Sequence, residues 1–391
     1  MSILARSDQG HVSQWWWTVD RWLLVCFVIL LGLGMVMTVA ASPAVAQKLG
    51  LSLYFFVKKQ FIFLVLAFIS VIAVSSLSPL NILRLAGLAL VISVIGLIST
   101  ILFGQEIKGA TRWLYILGVS IQPSEFIKPS FIVICAWLFA RHNTRFESLG
   151  AFYTFGILVM LCGLFLLQPD IGQMTLLALV WTCVFFLAGA SMRLLGLLIT
   201  IGMVAALYVY SAYPHVASRI DRFMDPSSGD TYQVDQAMSA IAAGGVLGVG
   251  PGNGRVKSIL PDAHTDYVFA VAVEEGGLIF ASLILAAFAI IISRCLWHVR
   301  KESQHWIQLA VGGLACLLGL QVCINLAVNL DIMPSKGMTL PFISYGGSSL
   351  LASALTIGMI VGLTRRRGTI GRQDTKRPSH VRIVAVREVV Q

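Results

Sequence analysis

Charge is scarce in this sequence. Only 12% of its 391 residues are Asp, Glu, Lys or Arg, about half the share of an average soluble domain. Against 57% hydrophobic residues, that scarcity excludes a soluble enzyme and predicts a polytopic membrane protein. Metal-ligand spacing is missing too. The seven cysteines (Cys26, Cys135, Cys162, Cys183, Cys295, Cys316, Cys323) all fall in apolar runs without a C-x-x-C, and read as small core hydrophobes. Nor is there a nucleotide loop. The glycine run GGVLGVGPGNGRVKS at 244–258 has Asn253 or Arg255 where G-x-G-x-x-G needs its third glycine, and Val256 where G-x-x-x-x-G-K-[ST] needs its second. A cleavable leader is not expected: Ala44-Val45-Ala46 imitates a cleavage site, but the apolar run Trp22–Ala41 is about 20 residues, longer than a signal-peptide core. The net charge of +10 belongs to loops and tails, which suits anionic lipid headgroups and gives no reason to expect nucleic acid.

Long apolar runs are what the sequence has. The fold expected is an all-α polytopic membrane protein of ten spans, at 22–41, 54–77, 80–103, 126–140, 151–167, 171–190, 194–211, 267–293, 307–330 and 349–364. Residues 151–190 must be two helices, because one would be roughly 60 Å long, twice the hydrocarbon thickness; Gln168-Pro169-Asp170 marks the break. Ten spans place both termini on one side. Setting that side in the cytoplasm puts 17 of 28 basic residues there, the bias the inside usually carries, and ten of 18 acidic residues outside. The chain then divides into a cytoplasmic segment 1–21, a membrane domain 22–364 with one long outer loop at 212–266, and a basic tail 365–391 expected to be disordered.

Four outward patches carry unusual polar chemistry. The first, 109–128, holds Arg112, Glu125 and Lys128; Glu125 in the first turn of a span suits the helix dipole, and it can also simply pair with Lys128 at i, i+3. The second is Gln168-Pro169-Asp170, readable as a plain helix cap. The third is LPDAHTDYVFAVAVEEGG at 260–277. Here Asp266 opens a span as either N-cap or functional acid, and His264 with Asp266 is at most half a metal site. Glu274 lies roughly 12 Å deeper and about 80° around the helix, with Glu275 nearly opposite. Both cannot line one cavity with Asp266, so one of the two is expected to partner a basic residue. The fourth patch, 329–349, contains Lys336 and Ser344 among two prolines and three glycines. Irregular backbone at membrane depth is tolerated where it is shielded or lines a wet cavity. The glycine run at 244–258 reads as a tight re-entrant loop that can bring backbone amides and Lys257 to an anion. Cations beside carboxylates suggest an anionic substrate whose chemistry needs a base, such as a lipid-linked phosphate or diphosphate.

Taken together and in this order, GATRW…QPSEF-I-K, QPDIG, LPDAHTDYVFAVAVEEGG and MPSKGMTLPFISYGGSS resemble the SEDS family (shape, elongation, division and sporulation) over about residues 20–365. The A-H-T-D start and the K-G-M-T-L-P run resemble its division-type members; elongation-type members usually lack a lysine where Lys336 stands. Departures are small: Gln173 where threonine is usual, and Tyr267-Val268 for Phe-Ile.

The resemblance implies a peptidoglycan glycosyltransferase in the inner membrane of a bacterium. Such an enzyme polymerises lipid II, with lipid-linked glycan as donor, on the outer face at the division septum. Its implied partners are a class B penicillin-binding protein (an FtsI-like transpeptidase) and other divisome membrane proteins. The family's essential aspartate matches Asp266 and its functional lysine Lys336; a divalent cation, Mg²⁺ or Mn²⁺, is also implied, with Asp266 a possible ligand. The mechanism expected is an inverting single displacement with Asp266 as general base. Arg112, Lys128, Lys336 or the cation would steady the leaving diphosphate. A lipid II flippase, suggested by Glu274 and Glu275 inside a span, and a non-catalytic septal scaffold are the competing readings.

Overall fold

The computed structural model describes residues 10–104, 111–116, 118–141, 147–190, 192–225, 231–334 and 337–366. Contacts divide the chain into two units, one of residues 1–18 with 365–391 and one of 19–364. The first contains α1 (His11–Thr18). In it the Arg366 amide donates to the Thr18 carbonyl at 3.0 Å, and Arg365 Nε to Thr18 Oγ1 at 3.1 Å. Residues just before the first span and just after the last are therefore neighbours, which requires an even number of crossings between them.

In the second unit every expected span falls on a helix. These are α2 (Arg21–Lys48), α3 (Phe55–Ser76), α4 (Pro79–Phe103), α5 (Pro123–Arg141), α6 (Glu147–Leu167), α7 (Ile171–Leu187) and α8 (Met192–Ala212). The long outer loop supplies two short helices, α9 (Pro214–Met224) and α10 (Tyr232–Gly244), and α11 (Val268–Lys301), α12 (His305–Asn329) and α13 (Gly347–Leu363) complete the set. Eight are long and apolar enough to cross a membrane, α7 and α13 being apolar but only 17 residues each. Helix is what hydrocarbon demands, since it satisfies each segment's own backbone. Between α4 and α5 the first patch folds as a hairpin of β1 (Leu114–Ile116) and β2 (Val119–Ile121), turning at Gly118 with φ 79°.

α5 and α12 form the centre, each 72% buried over its most apolar stretch, whereas α8 is only 6% buried and lies almost wholly exposed. A core of Phe131, Leu161, Phe165, Leu177 and Trp181 joins α5, α6 and α7. One departure from expectation matters most. The span expected to run unbroken through 267–293 is kinked: Gly277 adopts φ 68°, ψ −176°, and α11 is two helices end to end.

An ion cluster ties the start of α2 to the end of α11. Asp20 Oδ1 caps α2 by accepting from the Trp22 amide at 2.9 Å. Its Oδ2 accepts from Arg294 Nε at 3.0 Å and Nη2 at 2.5 Å, and lies 2.6 Å from His298 Nε2. Burial alone would raise the Asp20 pKa; hydrogen bonds from His298 and Arg294 outweigh it and hold the carboxyl at about 2, below its ordinary 3.8. A lowered carboxyl pKa stabilises the fold above the ordinary value, and that contribution is lost as pH falls through the folded value. The stability gap between the detergent-purified wild type and Asp20→Asn, read from thermal unfolding, should be widest above about pH 4 and narrow toward pH 2. A gap independent of pH over that range would refute the cluster's role.

Candidate functional site

The loop before α11 is built by its neighbours. Asn325 and Asn329, four residues apart on α12, both donate to the Asp266 carbonyl at 3.0 Å. Asn325 also donates to the Met338 carbonyl at 2.8 Å, while Asn329 Oδ1 accepts the Ala270 amide at 3.1 Å. The first-turn donor of α11 is thus capped from the next helix. Tyr267, not Asp266, occupies the N-cap position, without a side-chain bond. Asp266 is not spent as the cap that sequence allowed.

The fourth patch is stitched to this loop. Ser344 Oγ donates to the Thr265 carbonyl at 2.5 Å and accepts the Leu340 amide at 2.8 Å; the Tyr345 amide donates to the His264 carbonyl at 2.8 Å. Ser344 was expected to meet substrate. It is instead 4% exposed with its hydroxyl committed to the backbone on both sides. Gly337, at φ 63°, passes beside the acid, so a Cβ there would lie 3.6 Å from Asp266 Oδ2. The strand of chain expected to bring in Lys336 therefore does approach Asp266; Lys336 itself lies outside the described residues. His264 packs between Phe56 and Tyr345, with ring centroids 5.2 and 5.4 Å away. Burial holds its imidazole below the ordinary pKa, against the pull of Asp262.

The glycine loop answers the break in α11. Kinking at Gly277 frees the carbonyls of Glu274 and Glu275, which accept from the Val249 and Gly250 amides at 2.9 and 3.1 Å. The amides beyond the kink, Leu278 and Ile279, donate to the Gly245 and Val246 carbonyls at 3.0 and 3.3 Å. Approach this close excludes side chains: a Cβ at Gly244, Gly248 or Gly277 would lie 1.9–2.2 Å from a carbonyl oxygen of the facing segment.

The acids then lock the same loop. Glu274 Oε1 and Oε2 accept the Val256 and Lys257 amides at 2.7 and 2.9 Å, and Glu275 Oε1 takes the Lys257 ammonium. The loop does bind an anion, as its composition suggested, but the anion is the protein's own Glu274. Lys257, expected to meet substrate, is 8% exposed and paired with Glu275. Neither glutamate lines a cavity with Asp266: one holds backbone and the other holds the lysine.

The first two patches also meet. Lys128 Nζ lies 2.7 Å from Glu125 Oε2, and Gln173 Nε2 donates to Glu125 Oε1 at 2.7 Å. Lys128 and Glu125 are 2% and 5% exposed, so the i, i+3 pairing alternative describes them and a role in steadying a leaving group does not. Gln173, the departure from the family pattern, completes that pair. Arg112 donates to the Pro169 carbonyl at 2.7 Å and lies 3.7 Å from Asp170, which also caps α7 through the Gln173 amide at 3.5 Å. A residue without an assigned role in the sequence joins the two halves. Arg219 of α9 has Arg112, Arg222, Asp266 and Asp170 as its charged neighbours. Burial, then Arg112 and Arg222 as like charges, lower its pKa, while Asp266 and Asp170 oppose them.

Among the described residues no three His, Cys, Asp or Glu side chains converge as a metal cage requires. His264, engaged with two aromatic rings, does not extend Asp266 into such a cage.

Fold and site together define a polytopic membrane protein whose polar chemistry gathers where its spans break, around an acid that the helix start does not consume. Residues 21–368 match the FtsW/RodA/SpoVE family, described as cell cycle proteins, and the chain belongs to it. The chain is similar to the probable peptidoglycan glycosyltransferase FtsW of Caulobacter vibrioides, 40% identical over 93% of each chain, and to that of Coxiella burnetii, 34% identical over 88% of this chain and 96% of the relative. Among solved structures it resembles a chain from a study of how a peptidoglycan synthase complex coordinates polymerisation and crosslinking, with TM-score 0.70, 25% identity, and 88% and 97% of the two chains covered. It also resembles the Thermus thermophilus rod shape determining protein RodA, with TM-score 0.66, 24% identity, and 89% and 97% covered.

The buried lysine gives a test that does not depend on activity. Lys257→Met leaves Glu275 charged and unpaired, and should cost about 3–5 kcal/mol in thermal unfolding, whereas adding Glu275→Leu should recover much of the loss. Additive losses in the double variant would show that the two side chains do not pair.

Proposed function

We infer that this protein is a peptidoglycan glycosyltransferase that polymerises lipid II at the division septum. It works on the outer face of a bacterial inner membrane, with both termini cytoplasmic, beside a class B penicillin-binding protein and other divisome membrane proteins. The observation that carries the reading is Asp266: an acid released from capping by Asn329, in a chain whose relatives are named as peptidoglycan glycosyltransferases. The sugar 4-hydroxyl of the acceptor is a poor nucleophile, and a carboxylate within hydrogen-bond reach removes its proton as it attacks. That oxygen's electron pair forms the bond to the anomeric carbon of the lipid-linked glycan. The bond from that carbon to the diphosphate breaks on the opposite face, so configuration inverts. Asp266 keeps the proton.

The cation set is revised by geometry. Lys128 and Lys257 are neutralised by buried glutamates, which leaves Arg112 and Lys336 of the residues first considered. A hydrated Mg²⁺ or Mn²⁺, as the family implies, would be shared between Asp266 and substrate phosphate, since the described residues form no cage of their own. The flippase reading drew on Glu274 and Glu275 as intramembrane acids; both are committed to the 244–257 loop, and a proton or ion relay needs groups that can change partners.

Purified protein with its class B partner should convert lipid II into glycan polymer, resolved on gels, and Asp266→Asn should slow this by about 10²–10⁴-fold. Unchanged polymerisation by a normally folded Asp266→Asn protein would sink the base assignment. A wild type that makes no polymer would return the protein to the transporter or scaffold class.

A further inference from the structure

The outer-face basic residues differ in how their charge is used. Lys128 and Lys257 are each paired with a buried glutamate, and Arg112 is divided between the Pro169 carbonyl and Asp170. Arg219 differs: among the described residues it forms no ion pair within 4 Å, yet both carboxylates of the site, Asp266 and Asp170, are among its charged neighbours. Its side chain is accessible to solvent although protein crowds the guanidinium, as on the wall of a concave surface. The helix that carries it is anchored: Tyr210 Oη on α8 donates to Asp221 Oδ1 at 2.7 Å, and Arg222 Nε donates to the Ser218 carbonyl at 2.9 Å. Arg219 is thus held between the acid assigned to proton removal and the Arg112–Asp170 pair.

A planar guanidinium offers several donors in a fork that matches two phosphate oxygens at once. Three guanidiniums (Arg112, Arg219, Arg222) gathered with only two carboxylates make a place for a multiply charged anion. We propose that Arg219, beside Arg112, binds the diphosphate of the lipid-linked donor and takes up the negative charge that the leaving oxygen gains during transfer. This rests on the polymerase reading above. The step balances: the acceptor proton goes to Asp266, the acceptor oxygen bonds to the anomeric carbon, and the electron pair of the broken carbon–oxygen bond stays on the diphosphate. Donors fixed where that charge develops favour the transition state over the bound substrate.

The test uses the purified complex with lipid II, comparing wild type, Arg219→Ala and Arg219→Lys, with a polyprenyl diphosphate as probe and the matching polyprenol as control. Arg219→Ala should lower kcat at least tenfold and raise at least tenfold the polyprenyl diphosphate concentration that halves the rate, with polyprenol acting alike on both proteins. Arg219→Lys, which keeps the charge but loses the fork, should fall between. A second arm needs no turnover: polyprenyl diphosphate should raise the melting temperature of the wild type and of Arg219→Lys more than that of Arg219→Ala. Equal inhibition and equal melting shifts in wild type and Arg219→Ala would overturn the proposal. If the wild type makes no polymer, the polymerase reading fails, and the melting arm still decides whether Arg219 binds a diphosphate.

Discussion

A broken helix inside a bilayer must find partners for the backbone groups it releases, because hydrocarbon supplies none. The structure depends on how that requirement is met at Gly277. The freed carbonyls of Glu274 and Glu275, and the amides of Leu278 and Ile279, are all bonded to the loop between Gly245 and Gly250. Only glycine permits that approach, since side chains at 244, 248 and 277 would overlap facing carbonyls. Once the loop is seated, carboxylates otherwise costly at that depth accept its amides and its lysine. The short half-helix Val268–Gly276 is fixed at one end by this clamp and at the other by Asn325 and Asn329. Asp266 sits directly before it.

Most of the site's charges are spent on structure. Glu125 with Lys128, Glu275 with Lys257, and Asp20 with Arg294 and His298 each tie elements together. Such pairs do little net work against well-packed apolar replacements, but losing one partner strands the other in a poor solvent. Catalytic interpretation therefore belongs to the charges left over. Asp266 and Arg219 stand out on that test, and they are neighbours.

Much of the fold was legible in the sequence, because a span must be apolar for its whole length and loops need not be. Each expected span falls on a helix, and Gln168-Pro169-Asp170 does separate α6 from α7. The kink at Gly277 was not legible: E-E-G-G-L continues a hydrophobic run, and glycine within a helix does not announce a break. The glutamates were noticed for their cost, yet helical spacing assigned them to different faces, an argument that assumed an unbroken helix. Ser344 and Lys257 were candidates by residue type, and only geometry shows their groups already taken. The signals for Asn325, Asn329 and Arg219 were present, as two amides four residues apart in an apolar helix and as the basic run Arg219-Ile220-Asp221-Arg222. Assigning them required knowing which helix lies beside which.

The central claim is that the half-helix start carrying Asp266 opens to the outer face of the membrane. Replacing Asp266 with cysteine in an otherwise cysteine-free chain, then adding a membrane-impermeant thiol reagent to right-side-out and inside-out vesicles, tests it most directly. The account predicts labelling from the outside only. Labelling confined to the cytoplasmic side would contradict it.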